Sequence, residues 1–183
     1  MDYSATREGE HALTDPTRGA PVDVAGVTLT DPTGTPCPLH RSDRPTLVAV
    51  ATLETGERAF ELGLAVRKAV DSDRLAITLV ADLSGMPRLA RAVLRQQLED
   101  VREDIADWLA DNAPPDDGAD PWAALALLAD WDGSVTGRLG FDRRTGEPLF
   151  LVAAPDGAVL ACAVPDDADD LVSMVRSALG TAA

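Results

Sequence analysis

Two uninterrupted apolar runs, each bounded by turn-forming residues, frame this chain. Thr46–Thr52 (TLVAVAT) follows Pro45, and Leu75–Ala81 (LAITLVA) follows Asp73-Arg74. Runs of this length, rich in β-branched residues and without polar alternation, predict strands buried on both faces. Between them, after Glu54-Thr55-Gly56-Glu57, the apolar positions switch to helical spacing. Phe60, Leu64, Ala65, Val66 and Val70 make one stripe, and Glu57 in the first turn complements the helix dipole. A strand, a helix and a strand within about 35 residues make a βαβ unit, with parallel pairing and a right-handed crossover.

Upstream, Val24–Thr30 alternates apolar and polar, Asp31-Pro32-Thr33-Gly34-Thr35 supplies a turn, and Pro36–Leu39 returns, so a short hairpin is expected. Residues 1–24 are polar, broken by Pro16, Gly19 and Pro21, and read as a flexible tail preceding one domain over 25–183. Downstream, Met86-Pro87 opens a long helix reaching about Ala110. Its Leu94, Leu98, Val101, Ile105 and Trp108 form a heptad-like stripe suited to packing on the sheet. A homodimer through residues 94–108 is the alternative, although two repeats are short for a coiled coil. Residues 112–121 (NAPPDDGADP) form an acidic loop. Ala124–Ala129 fits strand or helix by period, and its brevity before Asp130-Trp131-Asp132-Gly133 favours a strand. A short helix over Ser134–Leu139, a hairpin of Leu149–Ala153 with Ala158–Val164, and an amphipathic helix over Asp166–Leu179 complete the order.

A length of 183 residues suits one domain with its own core. The net charge of −15 disfavours nucleic acid and anionic lipid as partners. No apolar run is long enough to span a bilayer, and the first ten residues lack the pattern of a secretory signal, so a cytoplasmic location is expected. Lys68 is the only lysine among 16 basic residues, a bias typical of GC-rich bacterial coding.

The hairpin segment Leu29-Thr30-Asp31-Pro32-Thr33-Gly34, the strand Leu47-Val48-Ala49-Val50 and a series near the end carry a resemblance. That series is Leu128-Ala129-Asp130, Asp132-Gly133, Leu139-Gly140-Phe141, Pro148-Leu149-Phe150-Leu151-Val152 and Asp156-Gly157. Together, in this order, the chain resembles the thioredoxin-like superfamily, in its peroxiredoxin/TlpA-like branch. The resemblance implies a three-layer α/β fold, with a central mixed sheet flanked by helices, an N-terminal β-hairpin and one long inserted helix. It also implies that Pro148 occupies the family's cis-proline site, beside an open backbone edge.

Dithiol chemistry in that family needs a thiolate where the first central strand meets its helix, with a lowered pKa. Here that position reads Glu54-Thr55-Gly56-Glu57-Arg58, and no cysteine lies between Thr46 and Val70. A carboxylate or hydroxyl cannot exchange disulfides, so the chain is expected to be redox-silent, similar to the YtfJ type. The implied role is a module that binds a protein or peptide at Glu54, Thr55, Gly56, Glu57, Arg58, Glu147 and Pro148. The alternative is an atypical thiol peroxidase or redox sensor using Cys37, flanked by two prolines with His40 and Arg41 nearby. Cys162, amid Leu160, Ala161 and Ala163, is expected in the core. No cofactor and no metal are expected, because His11 and His40 are the only histidines and the acidic residues show no EF-hand spacing. Arg88, Arg91 and Arg95 form a basic stripe where the dipole disfavours cations. Pairing such as Arg95 with Glu99 explains them most simply, and an anion or partner site is the other reading.

Overall fold

The computed structural model describes residues 23–112 and 125–181. The two apolar runs become β3 (Thr46–Ala51) and β4 (Ala76–Asp82), paired in parallel from Thr46 with Ala76 to Ala51 with Ala81. Strand β5 (Leu125–Asp130) continues the parallel set on β4, ending with Asp82 opposite Asp130. The N-terminal hairpin, β1 (Thr28–Thr30) and β2 (Pro36–Pro38), adds antiparallel to β5. On the other side β6 (Leu149–Ala153) runs antiparallel to β3, and β7 (Val159–Ala163) to β6. The order is therefore β2-β1-β5-β4-β3-β6-β7.

Helix α1 (Gly56–Ala69) links β3 to β4; a 3-10 turn (Arg88–Ala90) and α2 (Arg91–Asn112) follow β4 on the way to β5. Two crossovers of one hand, stepping in one direction across the sheet, put both helices on the same face. The C-terminal helix α4 (Ala168–Thr181) joins them there. Leu62 and Val66, Leu98 and Ile105, and Leu171 and Val175 close one core over Leu47, Ile77, Leu127 and Phe150. The opposite face, with Val48, Val50, Val80, Leu128 and Leu151, is covered by Val24, Val27 and Leu39 and by Leu139 behind the short α3 (Ser134–Arg138). The mixed sheet, the helices, the hairpin and the long inserted helix are as expected.

Several local expectations need correction. Val24 is fully buried and its N–H donates to the Gly157 carbonyl at 2.9 Å, so this residue is packed rather than part of a loose tail. Gly157 sits at φ +94, and a Cβ there would lie 2.5 Å from the Ala25 backbone nitrogen. On α1 the seated residues are Ala59, Leu62, Gly63 and Val66, while Phe60, Leu64 and Ala65 are only half-buried. Leu62 and Val66 seat the helix on the sheet with Ala59 and Gly63 beside them, and Phe60 and Leu64 flank it. The stripe on α2 turns Leu94, Leu98 and Ile105 inward but leaves Val101 45% exposed. Those inward residues are buried within this chain. Cys162 is exposed rather than buried, because β7 is an edge strand with one outward face. The tail before residue 23, most of the acidic loop and the Trp108 side chain lie outside the described residues.

Candidate functional site

The β3 run ends at Ala51, and Thr52-Leu53-Glu54-Thr55 turns the chain into α1. Two threonines latch this turn. The Thr52 N–H donates to Thr55 Oγ1 at 3.0 Å, the Thr55 N–H reaches Thr52 Oγ1 at 3.4 Å, and the hydroxyl oxygens stand 3.3 Å apart. Thr55 is buried by this arrangement, its hydroxyl turned away from the helix, so no side chain caps the first turn of α1. Glu54 and Glu57 remain exposed on either side.

Arg58 ties this loop to two distant segments. One guanidinium nitrogen stands 2.6 Å from Glu147 Oε2, and another donates to the Asp166 carbonyl at 3.1 Å. Sheet register explains the meeting: Leu149 pairs with Val50, so residues 147–148 fall beside the end of β3. The structure thus brings Glu54–Arg58 and Glu147-Pro148 to one end of the sheet. Pro148 departs from what the resemblance implies. No peptide bond among the described residues is cis, and Pro148 itself is buried. Its ring packs inward, and Glu147 is the member of the pair that reaches the surface. Next to it opens a groove of about 240 Å³, with Phe141, Leu149 and Val164 as apolar walls and Asp142, Thr145 and Glu147 as its polar side.

Neither cysteine joins this surface. Cys37 lies on β2 and Cys162 on β7, the two outermost strands of the sheet, and neither is in a disulfide. Six strand spacings of about 4.8 Å separate them by roughly 29 Å, whereas a bridge needs Cα atoms within about 7 Å. Burial pushes the Cys37 thiol above its ordinary value, and the Asp31 carboxylate adds to the shift against the opposing pull of Arg102. The charges acting on Cys37 are thus Asp31 and Arg102, not His40 and Arg41. Partial burial works to raise the Asp31 carboxyl too, but donation from the Thr33 hydroxyl and the Thr35 N–H, helped by Arg102, holds it below its usual value. Among the described residues no group of three or more His, Cys, Asp or Glu is placed to hold a metal ion.

Two members of the arginine stripe are engaged by an aromatic ring rather than by a carboxylate on their own helix. Arg91 and Arg95 lie over the Trp131 ring, 5.6 and 5.8 Å from its centroid, and Arg91 also donates to the Trp131 carbonyl at 3.2 Å. No ion pair joins Arg95 to Glu99. The arginines clasp the residue that follows β5, and cation–π attraction offsets the unfavourable helix dipole. Trp131 is held in turn by its neighbour. Asp130, 1% exposed, accepts from the Gly133 N–H at 3.1 Å through Oδ1, and from the Val135 and Thr136 N–H groups at 3.0 and 2.7 Å through Oδ2. Asp82, 3% exposed, accepts from the Ser84 N–H at 3.0 Å. Gly133, at φ +74, packs so closely on Ser84 that a Cβ would sit 2.8 Å from the Ser84 Cβ. In the sequence Asp130-Trp131-Asp132-Gly133 reads as a turn, and its Asp130 and Asp132-Gly133 carry part of the family resemblance. Its one local signal was an Asp three residues before a Gly at a strand end, and the two-arginine clasp carried none.

No family model matches the sequence, and no curated protein matches it. Solved structures do share the fold. MTB dsbF, in its mixed oxidized and reduced forms, is 15% identical with a TM-score of 0.53, covering 87% of this chain and 99% of that one. The pneumococcal exposed lipoprotein thioredoxin from Streptococcus pneumoniae is 11% identical, with 82% and 98% covered and a TM-score of 0.53. The thioredoxin domain of a thiol-disulfide oxidoreductase from Bacteroides vulgatus is 16% identical, with 87% and 98% covered and a TM-score of 0.51.

Proposed function

We propose that this chain, whose fold is thioredoxin-like, is a binding module that holds a protein or peptide segment without dithiol exchange. The observation that carries the reading is the loop at the end of β3. Where the fold's redox relatives need a thiolate, this chain presents Glu54-Thr55-Gly56-Glu57, closed by the Thr52–Thr55 latch. Its cysteines stand on opposite edges of the sheet. Carboxylates accept and hydroxyls accept or donate hydrogen bonds, but neither undergoes thiol–disulfide exchange, so the site keeps groups for recognition and lacks those for exchange. Glu54, Glu57 and the Arg58–Glu147 pair supply polar contacts, and the groove beside Leu149 and Val164 accepts an apolar side chain of the bound segment.

Insulin reduction and peroxide consumption, measured on wild type beside Cys37→Ser, test the redox half of the reading. Both proteins should be inactive, and turnover lost in Cys37→Ser would overturn it. For the binding half, peptides selected by display on the wild-type chain should fail to bind Glu57→Lys/Arg58→Glu. Equal retention by that variant would place recognition elsewhere.

A further inference from the structure

A second surface lies at the same end of the sheet, on the β4 and β5 side, and stands independently of the reading above. The chain holds 31 acidic residues against 16 basic ones, yet four arginines gather here without carboxylate partners. Arg88 opens the 3-10 turn, Arg91 and Arg95 clasp Trp131, and Arg143 donates to Ser84 Oγ at 3.1 Å. The Arg143 guanidinium lies across Gly85, in the space a Cβ would take. None of the four appears in an ion pair among the described residues.

The helix surface between these arginines is apolar. Leu89 is 96% exposed and Val93 62% exposed, and Ala92 is exposed with them. Spaced i, i+3 and i+4, they form one ridge on the first turns of the helix, away from the buried Leu94 and Leu98. A leucine almost wholly in water, bordered by unpaired cations, is the pattern of a recognition face rather than of a solvated surface. The Trp131 clasp holds two of the cations at fixed positions, which lowers the ordering cost of binding.

We propose that this ridge and its arginines dock an acidic amphipathic segment of a partner protein, one that lays apolar side chains on Leu89, Ala92 and Val93 and sets carboxylates against Arg88, Arg91, Arg95 and Arg143. Charge complementarity selects this occupant: a second copy of a chain with net charge −15 is repelled as a whole, and a purely anionic ligand leaves the ridge uncovered.

The test is a titration by fluorescence anisotropy with a labelled helical peptide that carries Leu at i, i+3 and i+4 and Glu elsewhere. Two controls replace its Glu by Gln or its Leu by Ser. The Glu/Leu peptide should bind wild type at least tenfold more tightly than either control, and more weakly as salt rises. Arg88→Glu/Leu89→Ser, both at exposed positions, should lose at least about tenfold in affinity, as expected for reversing one charge and removing one apolar contact. Glu57→Lys/Arg58→Glu should bind this peptide unchanged, which separates the two surfaces. Failure of the Glu/Leu peptide to bind overturns the proposal. So does equal binding by the Glu/Ser control, which marks a plain anion patch, or by the Arg88→Glu/Leu89→Ser variant.

Discussion

Asp130 tests whether a single buried carboxylate holds the handover from β5 to α3, and with it the placement of Trp131. Its two oxygens accept three backbone N–H groups, at 3.1, 3.0 and 2.7 Å. Thr136 is 1% exposed, so in Asp130→Ala its amide loses its acceptor with no water to replace it. A buried donor left unsatisfied costs about 1–3 kcal/mol, and hydrogen bonds to a charged group contribute about 1.5–3 kcal/mol each. Water reaches the less buried Gly133 and Val135 amides in part, so about 3–5 kcal/mol is expected for Asp130→Ala. That is a large share of the ~5–15 kcal/mol that keeps a domain folded. Asp130→Asn keeps the size and one acceptor oxygen, but turns an NH₂ group toward an amide donor, at about 1.5–3 kcal/mol. Urea unfolding should show lowered midpoints at unchanged slope, ranked wild type, Asn, Ala. If Asp130→Asn falls within about 0.5 kcal/mol of wild type, the carboxylate is not acting as the acceptor of all three amides, and the reasoning fails.

Three further outcomes follow from named contacts. Because burial and then Asp31 raise the Cys37 thiol, its alkylation at neutral pH should be slower than that of glutathione and should climb beyond the ordinary thiol range; Asp31→Asn should speed it, and a rate already level at neutral pH would contradict the assignment. Gly157→Ala combines a left-handed backbone with a Cβ 2.5 Å from the Ala25 nitrogen, so a loss of at least about 2 kcal/mol in urea unfolding is expected, and a neutral result would mean that residues 23–25 are not held there. Donation from Arg44, then Arg41, lowers the Asp43 carboxyl from 3.8 to about 2. Its stabilisation is therefore present above the unfolded value and is lost as pH falls through about 2. The carboxylate is half-exposed, so the gap between wild type and Asp43→Asn should be only a few tenths of a kcal/mol above pH 4, closing toward pH 2.

What the sequence determined by itself is the local geometry. Thr46–Ala51 and Ala76–Asp82 are buried on both faces, and an unbroken apolar run states that directly. Asp31–Thr35 and Ala154–Gly157 turn because their side chains and glycines favour turning, and the period of residues 94–105 specifies a helix. The absence of cysteine from Glu54–Arg58, and the redox expectation drawn from it, needed only the order of residues. Tertiary structure decided the rest. Cys162 sits in an unbroken apolar run like a core residue, yet it faces outward because β7 ends at the edge of the sheet. Phe60 and Leu64 have the spacing to seat α1, but the face turned to the sheet is that of Ala59, Leu62, Gly63 and Val66. Arg58 meets Glu147, and Arg91 and Arg95 meet Trp131, across long stretches of chain. Periodicity records how a segment divides between core and solvent. Which side chain meets which depends on strand order and on the volume left between layers, and those are properties of the assembled sheet.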